Sequence, residues 1–266
     1  MSRVSSIQLP GVRNLRDAGG HTTSDGRTMS LRRVYRAEAL VLRNANESNA
    51  MWLEEESAVY ASIGLTAVID LRAEEEAESA PSAWSRPTNA KYIPIPLPEG
   101  APGSDTDLLR PVLTGRSAAF SGEDLGAYYV TLLEGRAKQF GAVVETIADN
   151  EGGPLLIHCS AGKDRTALAI ALVLDTLGVP REAIVRDYEL TGVNRPNRME
   201  HYREAFAKRN VQVEDVRAAF ETPRVAMVTA WDHIDKEYGS AEEYLLESAG
   251  TSPEVFDALR EILLEG

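Results

Sequence analysis

Residues 154–177 read PLLIHCSAGKDRTALAIALVLDTL, and this stretch decides the fold. PLLIH is a short apolar run with the length and composition of a buried strand. DRTALAIALVLDTL, residues 164–177, is apolar on almost every side, which suits a helix lodged in the middle of a domain. Gly178 and Pro180 follow in the order that ends helices. A strand, a tight loop and a buried helix form the unit from which open α/β sheets are built, and ligands collect at the carboxyl ends of such strands.

Working outward, Leu65–Leu71 (LTAVIDL) predicts another buried strand. Lys91–Pro98 (KYIPIPLP) is extended, because Pro94, Pro96 and Pro98 suit neither a helix nor a central strand. Glu99 to Gly122 is rich in Gly, Pro, Ser and Asp and reads as an irregular loop or lid, with residues 99–135 as its widest extent. Asp124–Asn150 reads as one helix, and residues 181–266 as mostly helical. The expectation is one α/β domain over residues 1–266, with a mainly parallel central sheet flanked by helices and extra helices towards the C-terminus.

Between strand and helix lies His158-Cys159-Ser160-Ala161-Gly162-Lys163-Asp164-Arg165-Thr166. Five residues separating Cys159 from Arg165 wrap an anion of phosphate size, with backbone N–H groups turned inward. Gly162 gives the chain the freedom this needs. The helix contributes its positive N-terminal end, and Arg165 a planar fork for two phosphate oxygens. A thiol in such a place has its pKa drawn from about 8.5 down to roughly 3.5–7.5, so Cys159 is expected to attack phosphorus as a thiolate and form a phosphocysteine. Thr166 is placed to donate its hydroxyl to the departing thiolate, and His158 to orient the loop. A free cysteine is more often a buried core residue; Gly162, Arg165 and Thr166 together outweigh that reading.

The 266 residues carry one cysteine and a net charge of −13. A single cysteine forms no internal disulfide and no cysteine-rich zinc site. The four histidines lack metal-ligand spacing, so no cofactor is expected. The acidic balance opposes nucleic-acid binding and attachment to anionic membranes. No apolar run reaches the roughly 20 residues of a membrane span, and the first residues lack a secretory leader. The expectation is a cytoplasmic protein, with export by a leaderless route left open. Residues 1–43 nevertheless hold eight arginines against Asp17, Asp25 and Glu38, a local net of +5.

The nonamer is similar to the signature loop of protein tyrosine phosphatases, and its Gly-Lys-Asp-Arg core resembles the bacterial tyrosine/serine phosphatase family. Arg13–Gly20 (RNLRDAGG), Arg33–Leu40 (RVYRAEAL), Val68–Glu75 (VIDLRAEE) and Leu177–Thr191 (LGVPREAIVRDYELT) also match that family's pattern. Ala167 stands where the family usually has Gly. The resemblance implies the tyrosine phosphatase fold and hydrolysis of phosphotyrosine, with phosphoserine, phosphothreonine and phosphoinositides within range. It implies Ser160, Ala161, Gly162, Lys163 and Thr166 as the phosphate-binding residues. Lys163 is shared with phosphatases of phosphoinositides, although an exposed lysine has its head in water by default.

The leaving group needs a proton from a carboxylic acid, and three candidates stay open. Asp164 lies in the loop, Asp70 ends a strand, and Asp124 has a suitable upstream separation; each also has a capping or pairing explanation. Arg13, Arg16 and Asp17 are expected to brace the loop from beneath. Partners are a phosphorylated protein or a small phosphate ester. An inositol-lipid phosphatase, a sulfurtransferase and an inactive phosphate-binding module are the competing readings.

Overall fold

The computed structural model describes residues 7–42, 49–98, 109–195 and 199–265. Five strands form the main sheet: β1 (Arg16–Asp17), β2 (Val34–Ala37), β3 (Ala67–Asp70), β4 (Lys91–Pro94) and β5 (Leu155–His158). Their order is β1-β2-β5-β3-β4. Only β1 runs antiparallel to its neighbour; the other pairings are parallel.

The centre of the sheet is β5, and its side chains alternate between two cores. Leu155 and Ile157 join the large helical core, while Leu156 joins a second cluster with Tyr35, Val68 and Trp84. That period of two is the geometry of a strand buried on both faces. Burying each such Leu or Ile is worth roughly 1.5–3 kcal/mol. At the far edge, β4 includes Pro94 because an edge strand has one side with no ladder partner to lose.

Most of the helices pack on the face of the sheet that carries Leu155 and Ile157. After β3 comes α1 (Glu74–Ser79); before β5 come α2 (Gly122–Gly135) and α3 (Ala137–Asp149). The single helix expected over 124–150 is thus two, because the chain leaves helical geometry at Arg136 (φ −133°, ψ 24°) just after Gly135. The widest extent of the expected lid, residues 99–135, takes in a helix. Its C-terminal part is α2, whose Leu125, Tyr128, Tyr129, Leu132 and Leu133 are buried in the core. Residues 99–108 of that stretch lie outside the described residues.

Next comes α4 (Asp164–Thr176), buried at every position from Arg165 to Leu174. Gly178 (φ +78°) ends it, donating its N–H to Asp175 O at 2.8 Å. Then follow α5 (Arg181–Asn194), α6 (Met199–Ala207), a 3₁₀ segment (Val213–Ala219), α7 (Arg224–Glu237) and α8 (Pro253–Leu263). Leu264–Glu265 returns to pair with Thr28–Met29.

Candidate active site

Cys159 follows β5 directly and α4 begins at Asp164, so the chain turns from strand to helix within five residues. Three loop carbonyls are anchored to the scaffold. Ser160 O accepts from Ala39 N at 3.1 Å, Ala161 O from Asn14 Nδ2 at 3.2 Å, and Gly162 O from Asn14 Nδ2 and Arg36 Nη2 at 2.8 Å each. In a trans peptide the N–H points opposite its C=O. Anchoring these carbonyls therefore aims the N–H groups of Ala161, Gly162 and Lys163 away from the scaffold, where an anion can take them. Gly162 is required here: its φ is +63°, and a Cβ would stand 2.2 Å from Ala37 O.

A buried ion cluster fixes the anchors. Asp187 accepts from Arg16 Nε at 2.9 Å and from Arg36 Nη1 at 2.5 Å. Arg16 also donates to the side-chain oxygen of Asn14. Two guanidiniums thus share one carboxylate, leaving net positive charge beneath the loop. Burial, together with Arg16 nearby, draws the Arg36 pKa down to about 10, which keeps it protonated at neutral pH. Of the expected braces, Arg16 occupies that place. Arg13 is exposed and meets Glu38 through its backbone N–H. Asp17 instead accepts from Gly19 N and Arg32 N, because the turn after β1 needs those donors satisfied.

Arg165 lies in the first turn of α4, 4 % exposed. Its Nη1 and Nη2 donate to the two oxygens of Glu76 at 2.6 and 3.1 Å. Glu76 also accepts from Ser160 Oγ at 2.6 Å. Burial raises the Glu76 carboxyl, but Arg165 and Ser160 outweigh it and hold it down at about 2. Arg165 is thereby held in a two-pronged geometry.

The three candidate acids have different surroundings. Asp164 lines a cavity of about 210 Å³ beside the loop. Its Oδ1 accepts from the Tyr129 hydroxyl at 2.7 Å and lies 3.3 Å from Lys163 Nζ. Asp70 is 1 % exposed and held by the Arg72 fork, with Nη2 at 2.6 Å, and by the Tyr92 hydroxyl. Burial raises its carboxyl, but His158 and Arg72 hold it down at about 2. Asp124 caps α2 through a reciprocal pair of bonds with Ser121. Only Asp164 meets the cavity.

His158 is fully buried, and burial lowers its pKa, so the ring is neutral at pH 7. Its Nδ1 is 3.1 Å from the Cys159 carbonyl, which only accepts, so Nδ1 carries the proton. Nε2 then accepts from Ser82 Oγ at 3.1 Å. Thr166 Oγ1 is buried without a hydrogen-bond partner among the described residues. Lys163, 6 % exposed, donates to Ala219 O at 2.6 Å and Glu221 O at 3.2 Å. Its ammonium ties the loop to the Val213–Ala219 segment.

Sequence reasoning missed Glu76, Asn14, Arg36, Asp187 and Tyr129. Glu76 follows directly after the VIDLRAEE segment, hidden in a run of glutamates. Among the described residues no helix is long and apolar enough to cross a membrane, and no group of three or more acidic, His or Cys side chains could hold a metal.

A cysteine on an anchored loop between a central strand and a buried helix, with an arginine in that helix's first turn, defines a cysteine-based phosphate site. A family model described as the tyrosine phosphatase family matches residues 7–265. A tyrosine-protein phosphatase of Nostoc commune is 30% identical over 75% of this chain and 66% of its own length, so the match spans just under two thirds of that relative. The triple specificity protein phosphatase PtpB of Mycobacterium tuberculosis is 27% identical over 97% of this chain and 98% of its own. A solved catalytic domain of the PP-IP phosphatase SIW14 from S. cerevisiae shares 11% identity at a TM-score of 0.35, covering 86% of this chain and 96% of that one. The chain belongs to the tyrosine phosphatase family and is a cysteine-based phosphatase of the protein-tyrosine-phosphatase class.

Proposed function

We propose that this enzyme hydrolyses phosphotyrosine through a phosphocysteine intermediate, with Asp164 as general acid. The observation that carries the reading is the set of anchored carbonyls at Ser160, Ala161 and Gly162. With those carbonyls held, the N–H groups of Ala161, Gly162 and Lys163 are left for an anion beside Cys159, and Arg165 follows in the first helical turn, held by Glu76. Phosphate oxygens take those donors while Cys159 Sγ attacks phosphorus in line. The P–O bond to the leaving group breaks, and that oxygen takes the Asp164 proton. Oδ1 of Asp164 is engaged by Tyr129 and Lys163, so Oδ2 is the oxygen that hands over the proton in this step. Water then attacks the phosphocysteine, returns a proton to Asp164 and frees phosphate. The Thr166 hydroxyl, without a partner among the described residues, stabilises the sulfur as it leaves. Asp70, committed to Arg72, supports the strand end and not the proton transfer.

Phosphoserine and phosphothreonine fit the same chemistry. Phosphoinositides rank behind phosphotyrosine, because the donors of Lys163 are directed at two backbone carbonyls. The test is p-nitrophenyl phosphate hydrolysis with chelator present, beside Cys159→Ser. Turnover by wild type and none by the variant supports the reading. Equal rates for the two proteins overturn it.

A further inference from the structure

The cavity beside the loop is lined by Ser160, Ala161 and Asp164 of the loop and, from later in the chain, by Arg195, Tyr202 and Phe220. The acid borders this cavity, so the leaving group of the substrate occupies it. This inference rests on the phosphotyrosine reading above. The rings of Tyr202 and Phe220 lie with centroids 5.4 Å apart and planes tilted by 36°, an apolar surface suited to an aromatic leaving group.

Among the described residues Lys163 and Arg195 are the cations at this cavity, and the two differ in what they already bind. Lys163 is satisfied by carbonyls. Arg195 is held by one long contact, Nε to Glu38 Oε2 at 3.3 Å, and its side chain is 17% exposed. Glu38 is buried and also accepts from Arg13 N at 2.8 Å. Neither Nη1 nor Nη2 of Arg195 has a hydrogen-bond partner among the described residues. A guanidinium fork with both terminal nitrogens uncommitted, at the edge of a substrate cavity, is a receptor for a carboxylate. In a chain of net charge −13, it is a local exception to a field that repels acidic ligands.

We propose that Arg195 forms a second anion subsite, which selects phosphotyrosine peptides carrying a Glu or Asp side chain next to the phosphotyrosine. The phosphate sits on the loop, the ring lies along Tyr202 and Phe220, and the neighbouring carboxylate reaches the Arg195 fork.

The test compares kcat/KM for phosphotyrosine peptides that differ by a single Glu or Gln at positions flanking the phosphotyrosine. Wild type is expected to favour one Glu peptide over its Gln twin by roughly fivefold to tenfold, the scale of one charge-assisted contact. That ratio is expected to shrink as salt rises. In Arg195→Gln the ratio falls to about one, in Arg195→Glu it inverts, and Arg195→Lys restores part of it. Because the ratio is taken within each protein, a general loss of activity does not imitate the effect. The salt series on wild type stands even where a variant fails to fold. An unchanged ratio in Arg195→Gln, or no wild-type preference at any position, overturns the subsite and leaves the phosphotyrosine reading intact. Turnover of p-nitrophenyl phosphate but of no phosphotyrosine peptide overturns both. A preference for a bisphosphorylated inositol headgroup that depends on Arg195, with peptides undiscriminated, overturns the peptide assignment.

Discussion

The Tyr129 hydroxyl lies 2.7 Å from Asp164 Oδ1 and 3.0 Å from the Tyr188 hydroxyl. Tyr129 is fully buried, and burial together with the nearby Asp164 charge raises its pKa well above the ordinary value. It therefore stays a neutral phenol and serves Asp164 as a fixed hydrogen-bond donor. In the proposed mechanism Tyr129 is a positioning residue for Asp164.

General-acid help matters most when the leaving oxygen is strongly basic. Asp164→Asn is expected to lose about 100-fold in kcat on a phosphoserine peptide, and much less on p-nitrophenyl phosphate. Tyr129→Phe should show the same skew at smaller amplitude. Steady-state kinetics across leaving groups of graded basicity provide the check. Equal losses on every substrate would make Tyr129 merely structural.

The paired geometry of Arg165 and Glu76 predicts a graded pair of defects. Arg165→Lys keeps the charge and loses the fork, so kcat/KM should fall by at least about 100-fold. Glu76→Gln keeps a hydrogen-bond acceptor and loses the charge that holds the fork. Its effect should be smaller, and visible as weaker inhibition by inorganic phosphate. Inhibition constants for wild type and Glu76→Gln would settle it; identical values would remove Glu76 from the site.

Asp70 and Glu76 both have folded pKa values near 2, below their ordinary values of 3.8 and 4.5. A depressed carboxyl contributes stability that is present above its ordinary pKa and is lost as pH falls towards the folded value. The fold should therefore weaken between about pH 4.5 and pH 2. For buried Asp70 the contribution is about 2 kcal/mol. Urea unfolding at stepped pH measures this, and Asp70→Asn should flatten part of the slope. Stability independent of pH across that window would contradict it.

Removing the Asp187 charge leaves Arg16 and Arg36 uncompensated in the core. Asp187→Asn is expected to destabilise by roughly 3–5 kcal/mol. Adding Arg36→Met should recover part of that loss, a coupling visible in a double-mutant cycle. Additive effects in thermal melts would show that the two residues act independently.

Much of the site's skeleton was legible because its parts are adjacent in the chain. Strand, turn and helix around Cys159 announce themselves by apolar pattern, a glycine and spacing, all local signals. The supports were not legible, since they come from far away. Glu76 lies 89 residues from Arg165, and Asp187 lies 151 from Arg36. In sequence, Glu76 is one of three glutamates opening a short helix, where any of them reads as a solvated face. Periodicity reports which face of a helix is apolar, but it does not report which distant charge a buried arginine finds. Asp70 and Asp124 are plausible acids in sequence for the same reason: a carboxylate's role depends on its partner, and only the fold shows Arg72 holding Asp70 and Ser121 pairing with Asp124.

Asn14 and Arg36 grip the loop by its backbone carbonyls, which every amino acid possesses. The side chain at position 161 is not part of that grip, although Ala161 lines the cavity beside the loop. The loop's shape is therefore insulated from what is displayed there. A lineage could exchange Ala161 to retune which esters fit without rebuilding the scaffold, whereas position 162 has no such freedom. Diversification of substrate preference in such enzymes should run through position 161 and the later residues that line the same cavity, with the grip itself left unchanged.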